Sequence, residues 1–213
     1  WTCGDGIKNY GSAYTRIYSN TVVNSFGSGV YIEGRWWDSN ANTLQGNVIS
    51  NSIRAVYFGD LVPDELALFS PGLVTVISGT EVTGISDDDC PYCYVDVYLD
   101  DDDPWTEALE YWGTTIADEN GDWTLTLPRV LAEGEGLRTL STVRNYGVIK
   151  NYEIGSSSKL SILFQPQPPT GPSSVQIITP TGTLWTGRDI YFVANISPVT
   201  TTLPITYIWE TTD

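Results

Sequence analysis

Apolar residues in this chain recur at alternate positions in short runs, and Gly, Pro, Asn or Asp interrupts each run after a few residues. Side chains of a strand point alternately to its two faces, so this pattern predicts many short β-strands with one buried face. Near the N-terminus the runs repeat. Asn20-Thr21-Val22-Val23-Asn24-Ser25-Phe26 followed by Gly29-Val30-Tyr31-Ile32 aligns with Asn47-Val48-Ile49-Ser50-Asn51-Ser52-Ile53 followed by Ala55-Val56-Tyr57-Phe58, with the Asn pairs 27 residues apart. Gly6-Ile7 precedes Gly29-Val30 by 23 residues and gives a third, weaker register. A period in the twenties with Asn at the corners predicts stacked coils. The one helix candidate, Pro63-Asp64-Glu65-Leu66-Ala67-Leu68-Phe69, is a turn or two bounded by Pro71-Gly72.

Beyond residue 70 the runs lose the repeat and are spaced as in a β-sandwich. They are Val74–Thr80, Tyr94–Leu99, Tyr111–Ile116, Trp123–Leu127 and Leu137–Val143, with Ser161-Ile162-Leu163-Phe164 as a closing segment. Asp118-Glu119-Asn120-Gly121-Asp122-Trp123 predicts a hairpin, because Asn-Gly accepts the positive φ of a tight turn. Gln165-Pro166-Gln167-Pro168-Pro169-Thr170-Gly171-Pro172 reads as a stiff linker. Three more runs follow, Val175–Pro180, Ile190–Pro198 and Ile205–Trp209.

Three resemblances rest on these residues. The N-x-I/V-x-N and G-V/I pattern resembles the repeats of right-handed parallel β-helices of pectate-lyase-like and related surface proteins. The Gly-Thr strand, the Cys-Pro-x-Cys turn, the Val-x-Val-Tyr strand and Ala-Asp-x-Asn-Gly-x-Trp are similar to immunoglobulin-like modules that follow β-helices in bacterial surface proteins. Pro204-Ile205-Thr206-Tyr207-Ile208-Trp209 resembles the opening of a PKD-like immunoglobulin module, with Trp209, like Trp123, expected in a core. The expected fold is all-β, with short parallel β-helix coils over 1–65, an acidic immunoglobulin-like sandwich over 70–165, a Pro-rich linker over 166–172 and an incomplete immunoglobulin/PKD-like module over 173–213. The resemblance implies an extracellular or cell-surface protein with a structural or adhesive role.

Composition sharpens this picture. The chain of 213 residues is rich in Tyr (13) and Trp (8), which suits strands. Its formal charge of −16 is concentrated: between Arg54 and Arg129 there are 17 Asp and Glu and no Lys or Arg. Such a surface repels phosphate backbones and anionic lipid, which argues against nucleic-acid partners. No run reaches the roughly 18 to 20 apolar residues of a spanning helix, so membrane insertion is not expected. The chain begins without Met or a basic-then-apolar leader, and so reads as a mature or trimmed product.

The absence of His removes Ser-His-Asp and Cys-His chemistry and the usual imidazole zinc ligands. β-Helix polysaccharide lyases pair an acidic calcium cleft with a basic proton acceptor. Here Asp5, Glu33, Asp38 and Asp60 and the bases Lys8, Arg16, Arg35 and Arg54 show no spacing that brings them together. The expectation is therefore no enzyme and no catalytic residue. Cys90-Pro91-Tyr92-Cys93 is expected to close a small disulfide in an oxidising compartment, which leaves Cys3 either buried or paired outside this chain. Asp87-Asp88-Asp89 and Asp100-Asp101-Asp102-Asp103 are candidate calcium ligands, the alternative being solvated acidic loops. Trp36-Trp37 is a candidate sugar-stacking pair, with packing against the coils as the plainer role.

An unfinished solenoid and an incomplete last sandwich suggest pairing with other copies by strand donation or end-to-end stacking, which makes a filament subunit. The alternatives are a segment of a longer surface polypeptide, or a carbohydrate-binding module or fragment of a β-helix polysaccharide-active enzyme that contacts a polysaccharide.

Overall fold

Short β-branched and aromatic runs broken by turn residues leave little room for helix. In the computed structural model, which describes residues 4–34, 41–62, 67–86, 90–144, 154–166, 174–178 and 193–197, only Ala67 and Leu68 are helical among the described residues. The protein is all-β. It divides into two compact units, Trp1–Pro166 and Gln167–Asp213.

The first unit opens with seven strands: β1 (Ile7–Tyr10), β2 (Arg16–Tyr18), β3 (Thr21–Val23), β4 (Ser28–Glu33), β5 (Thr43–Gln45), β6 (Val48–Ser50) and β7 (Arg54–Phe58). They form three parallel ladders, β1-β4-β7, β2-β5 and β3-β6. The registers follow the repeat: Ile7 pairs with Val30 and Val30 with Val56, Ile17 with Leu44, and Val22 with Ile49. Each pass of the chain therefore lies on the one before, and Ile17, Val22, Val30, Ile32, Leu44, Ile49 and Ala55 stack inside. The corner asparagines explain the spacing. Asn24 (φ 61) and Asn51 (φ 51) take the left-handed conformation that a short polar side chain tolerates. Asn47 Nδ2 donates to Ile17 O at 2.7 Å and Asn20 Nδ2 to Asn47 Oδ1 at 3.1 Å, so the side chains bond the passes together.

Six further strands make two antiparallel sheets. β8 (Leu73–Ser78), β9 (Glu81–Ile85) and β12 (Asp122–Thr126) form one, in the order β12-β9-β8. β10 (Tyr94–Asp101), β11 (Glu110–Ile116) and β13 (Glu135–Thr142) form the other, in the order β11-β10-β13. Val74, Val82 and Trp123 from the first meet Val95, Val97, Leu99, Trp112 and Leu137 from the second in one core.

Two details depart from the sequence expectation. Gly79-Thr80 is a turn rather than the end of a strand; Gly79 has φ 61 and the chain reverses there into β9, whose weakly apolar Glu-Val-Thr-Gly-Ile sequence hid it. The Asn120-Gly121 turn forms, with Gly121 at φ 84, but β11 and β12 pair in different sheets, so it carries the chain across the sandwich and is not a hairpin.

β10 is buried along nearly its whole length because it serves two cores. Val95, Val97 and Leu99 face the sandwich interior. The alternate residues Asp96, Tyr98 and Asp100 face the coils, and Tyr98 joins the same hydrophobic cluster as Val30, Leu44 and Ile49. Cys90, Cys93, Leu140, Val143 and Leu160 also belong to that cluster, so the regions expected as 1–65 and 70–165 share one interior.

In the second unit β14 (Ser174–Ile178) and β15 (Val193–Ser197) pair antiparallel.

Candidate functional site

A stack of parallel strands ends in a row of unpaired N–H and C=O groups, which invites pairing with foreign strands unless it is covered. Here the last pass, residues 41–55, is covered by later parts of the same unit. Ser156 Oγ accepts from Ala41 N at 3.1 Å, and Ser157 Oγ from Leu44 N at 2.9 Å. Asp96 Oδ2 and Tyr98 Oη both accept from Gly46 N at 3.0 Å. Ile49 and Ala108 exchange backbone bonds at 2.8 and 2.9 Å, Glu107 Oε1 accepts from Asn51 N, and Thr106 O accepts from Ala55 N at 2.6 Å. The amides of Ala41, Leu44, Gly46, Ile49, Asn51 and Ala55 thus each meet a hydroxyl, a carboxylate or a carbonyl.

The segment 154–164 does this on two sides. While Ser156 and Ser157 face the coil edge, Ser158 Oγ accepts from Ser141 N and Ser161 Oγ from Thr139 N, both at 2.9 Å, along the open edge of β13. The N–H groups of Ser158 and Ser161 donate to Ser141 O and Thr139 O, so the serine hydroxyls take only the return bonds that the carbonyls of a regular strand would accept.

Asp96 anchors a second part of the junction. Its Oδ2 accepts from Tyr98 Oη at 3.0 Å as well as from Gly46 N, and its Oδ1 from Thr114 Oγ1, which is itself bonded to Tyr111 Oη. Burial pushes the Asp96 carboxyl above its usual range, against the pull of the hydrogen bonds from Thr114, Gly46 and Tyr98. Burial likewise pushes Tyr98 well up, aided by the Asp96 charge.

A carboxylate cluster lies at the end of β10. Asp100, Asp101 and Glu107 bring carboxylate oxygens within 4.8 Å of one another. The loop between them is folded by its own acids: Asp103 N donates to Asp101 Oδ1 at 3.2 Å and Trp105 N to Asp103 Oδ1 at 2.8 Å. Asp100 is fully buried and its Oδ2 pairs with Arg138 Nε. Its Oδ1 is buried with no hydrogen-bond partner. Burial pushes both Asp100 and Glu107 up; Arg138 opposes the shift at Asp100, and the Asn51 N–H opposes it at Glu107, where the charges of Asp103, Asp100 and Asp101 add to it.

Of the candidate ligands read from the sequence, Asp100 and Asp101 therefore meet, Asp103 acts on Glu107 through space, and Asp102 is not in the group of three. Glu107 was not among the candidates. The turn-forming Asp103-Pro104 before it was the available signal, since a reversal there returns a downstream acid to the acidic strand end. Asp87, Asp88 and Asp89, the Trp36-Trp37 pair and Cys3 lie outside the described residues, as does Trp209. Cys90 and Cys93 are both fully buried and stand at disulfide distance, with Cα atoms 5.5 Å apart.

Two concavities border the junction. One, about 210 Å³, is apolar and lined by Phe26, Ile53 and Trp105 with Ser25, Asn51 and Ser52. The other, about 350 Å³, is lined by Arg54, Tyr57, Thr106, Arg138, Lys159 and Ser161 among others, and by no acid among the described residues. Arg54 lies over the Tyr57 ring, 4.4 Å from its centroid.

No protein-family model and no curated protein matches this chain. No helix among the described residues is long and apolar enough to cross a membrane.

Proposed function

We propose that this chain is a non-enzymatic structural or adhesive segment of an extracellular surface polypeptide, in which parallel β-helix coils are joined to an immunoglobulin-like sandwich that caps them. The observation that supports this reading is the junction: between Ala41 and Ala55 the outward amides of the last coil are met by Ser156, Ser157, Asp96, Ala108, Glu107 and Thr106. A scaffold needs such a rigid joint, because a loosely tethered module moves relative to its neighbour under load. The buried Cys90–Cys93 pair suits an oxidising compartment.

Capping also bears on assembly. With the 41–55 stretch of this edge occupied, copies that stack or donate strands have to pair elsewhere. Electron microscopy of the purified protein, with intact mass under reducing and non-reducing conditions, tests the reading. Fibres or extended stalks carrying the intact chain support it, while hydrolysis or lysis of a polysaccharide by the purified protein sinks it.

A second reading, a polysaccharide-binding module, is favoured by one observation: the 350 Å³ pocket places Arg54 and Lys159 beside Tyr57 in a chain of net charge −16, while its third cation, Arg138, is already paired with Asp100. Cations with an aromatic face suit an acidic sugar. Retention of uronate-containing glycans that an Arg54→Ala, Lys159→Ala double variant loses promotes this reading; no retention by the unaltered protein removes it.

A further inference from the structure

The carboxylate cluster holds more negative charge than its surroundings neutralise. Carboxylate oxygens of Asp100, Asp101 and Glu107 converge within 4.8 Å, and among the described residues the guanidinium paired with this group is that of Arg138, on Asp100. Three carboxylates against one guanidinium leave two negative charges. Asp100 and Glu107 are almost completely buried, at 0% and 3% exposure, where water cannot screen that charge. A second observation is independent of the acid count: Asp100 Oδ1 is buried and makes no hydrogen bond of ordinary geometry, the Asp101 N–H acting on this carboxylate least of its neighbours, while Oδ2 is occupied by Arg138 and by Glu107 N. Burying a carboxylate oxygen without a partner is unfavourable, so such atoms are ordinarily found against a donor, a water or an ion.

We propose that Asp100, Asp101 and Glu107 form a Ca²⁺ site that locks the sandwich onto the last coil. The ligand set is oxygen only and fully anionic, which selects a hard cation over zinc or copper. Ca²⁺ accepts six to eight oxygens in irregular arrangements and tolerates three carboxylates, whereas Mg²⁺ demands an octahedron and generally keeps most of its water. Asp101, only partly buried, gives the ion its path from solvent, and water completes the shell. The mechanical consequence comes through Glu107. Its Oε1 already accepts from Asn51 N on the coil edge, so an ion held between Glu107 and the end of β10 draws the 100–107 loop, the sandwich and the coil together. This inference stands on the cluster itself and does not depend on the surface-scaffold reading.

The test uses the full chain stripped of metal by chelation. Calorimetric titration with CaCl₂ is expected to show a site whose affinity falls by about tenfold or more in Asp101→Asn and in Glu107→Gln. Asp101 makes one hydrogen bond to its own loop, and Gln keeps an acceptor for Asn51 N, so both variants are expected to fold; circular dichroism checks this. If Glu107→Gln fails to fold, Asp101→Asn decides alone. An Asp87→Asn, Asp88→Asn, Asp89→Asn triple variant is expected to keep the site. Ca²⁺ is also expected to raise the melting temperature of the unaltered protein, and at equal Ca²⁺ concentration to raise that of Asp101→Asn by less. Absence of binding and of a thermal shift at millimolar Ca²⁺ overturns the proposal, as does Ca²⁺ affinity unchanged in Asp101→Asn. Mg²⁺ bound as tightly as Ca²⁺ overturns the assignment of the ion.

Discussion

At the scale of single residues, the polar groups facing the coils from β10 make one demand on solution conditions. Asp96 is 1% exposed and its carboxyl is pushed up by burial, so the folded chain keeps that proton to higher pH than the unfolded chain does. Between the two pKa values the folded state binds more protons, and stability falls as pH rises through that window. Asp96→Asn retains an acceptor and removes the ionisation. Urea midpoints measured from the ordinary carboxylate range, about pH 4, up to neutrality are expected to shift in favour of the variant as pH rises. A constant difference across the series rules out this account. Steric limits act at the same scale. A Cβ at Gly84 would overlap the Trp123 ring and Leu73 O, in a strand that lies directly against the buried indole. Gly84→Ala is expected to cost about 3 kcal/mol in urea unfolding, the upper part of the range for overpacked cores.

At the scale of elements, the coil strands were legible because one sequence feature serves two purposes. Asn20 and Asn47 mark the period and also make the bond between passes, so the repeat in the sequence is the register of Thr21 on Val48 and Val22 on Ile49. The sandwich strands were legible where alternation was strong, as in Val95, Val97 and Leu99. β9 was not, because Gly84 and Thr83 lower its apolar content and its fit depends on Trp123 across the core. Ser156, Ser157 and Ser158 carried no strand signal either; their role exists only once β5 and β13 are placed on either side of them, and Glu107 was hidden for the same reason. Ser157 shows how much such a residue matters. It is 1% exposed, accepts from Leu44 N and is bonded to Thr142 Oγ1 at 2.7 Å. Ser157→Ala leaves the Leu44 amide buried without an acceptor and is expected to cost about 1–3 kcal/mol, measured by chemical denaturation. An unchanged midpoint means the edge finds another partner and the hydroxyl cap is dispensable.

At the scale of the first unit, the sharing of one interior by coils and sandwich has a consequence for how the chain unfolds. Leu44 in the coils and Tyr98 and Leu140 in the sandwich belong to one buried cluster, and β10 carries that cluster on one face and the sandwich core on the other. Opening the coils would strip the cover from Tyr98 and Leu140, leaving their apolar surface on a bare sheet face. Opening the sandwich would leave the amides of Ala41, Leu44, Gly46, Asn51 and Ala55 without acceptors. Neither half has an inexpensive partly open state, so the two are expected to unfold together. Leu44 is 1% exposed, and Leu44→Ala removes core volume at a cost of about 2–5 kcal/mol. Native-state hydrogen exchange then distinguishes one cooperative unit from two. If the interior is shared, the slowest amides of β9 and β12, which pair with each other on the far side of the sandwich, lose the same opening free energy as those of β4. If only the coil amides respond, the two halves open separately and the junction is a contact rather than a common core.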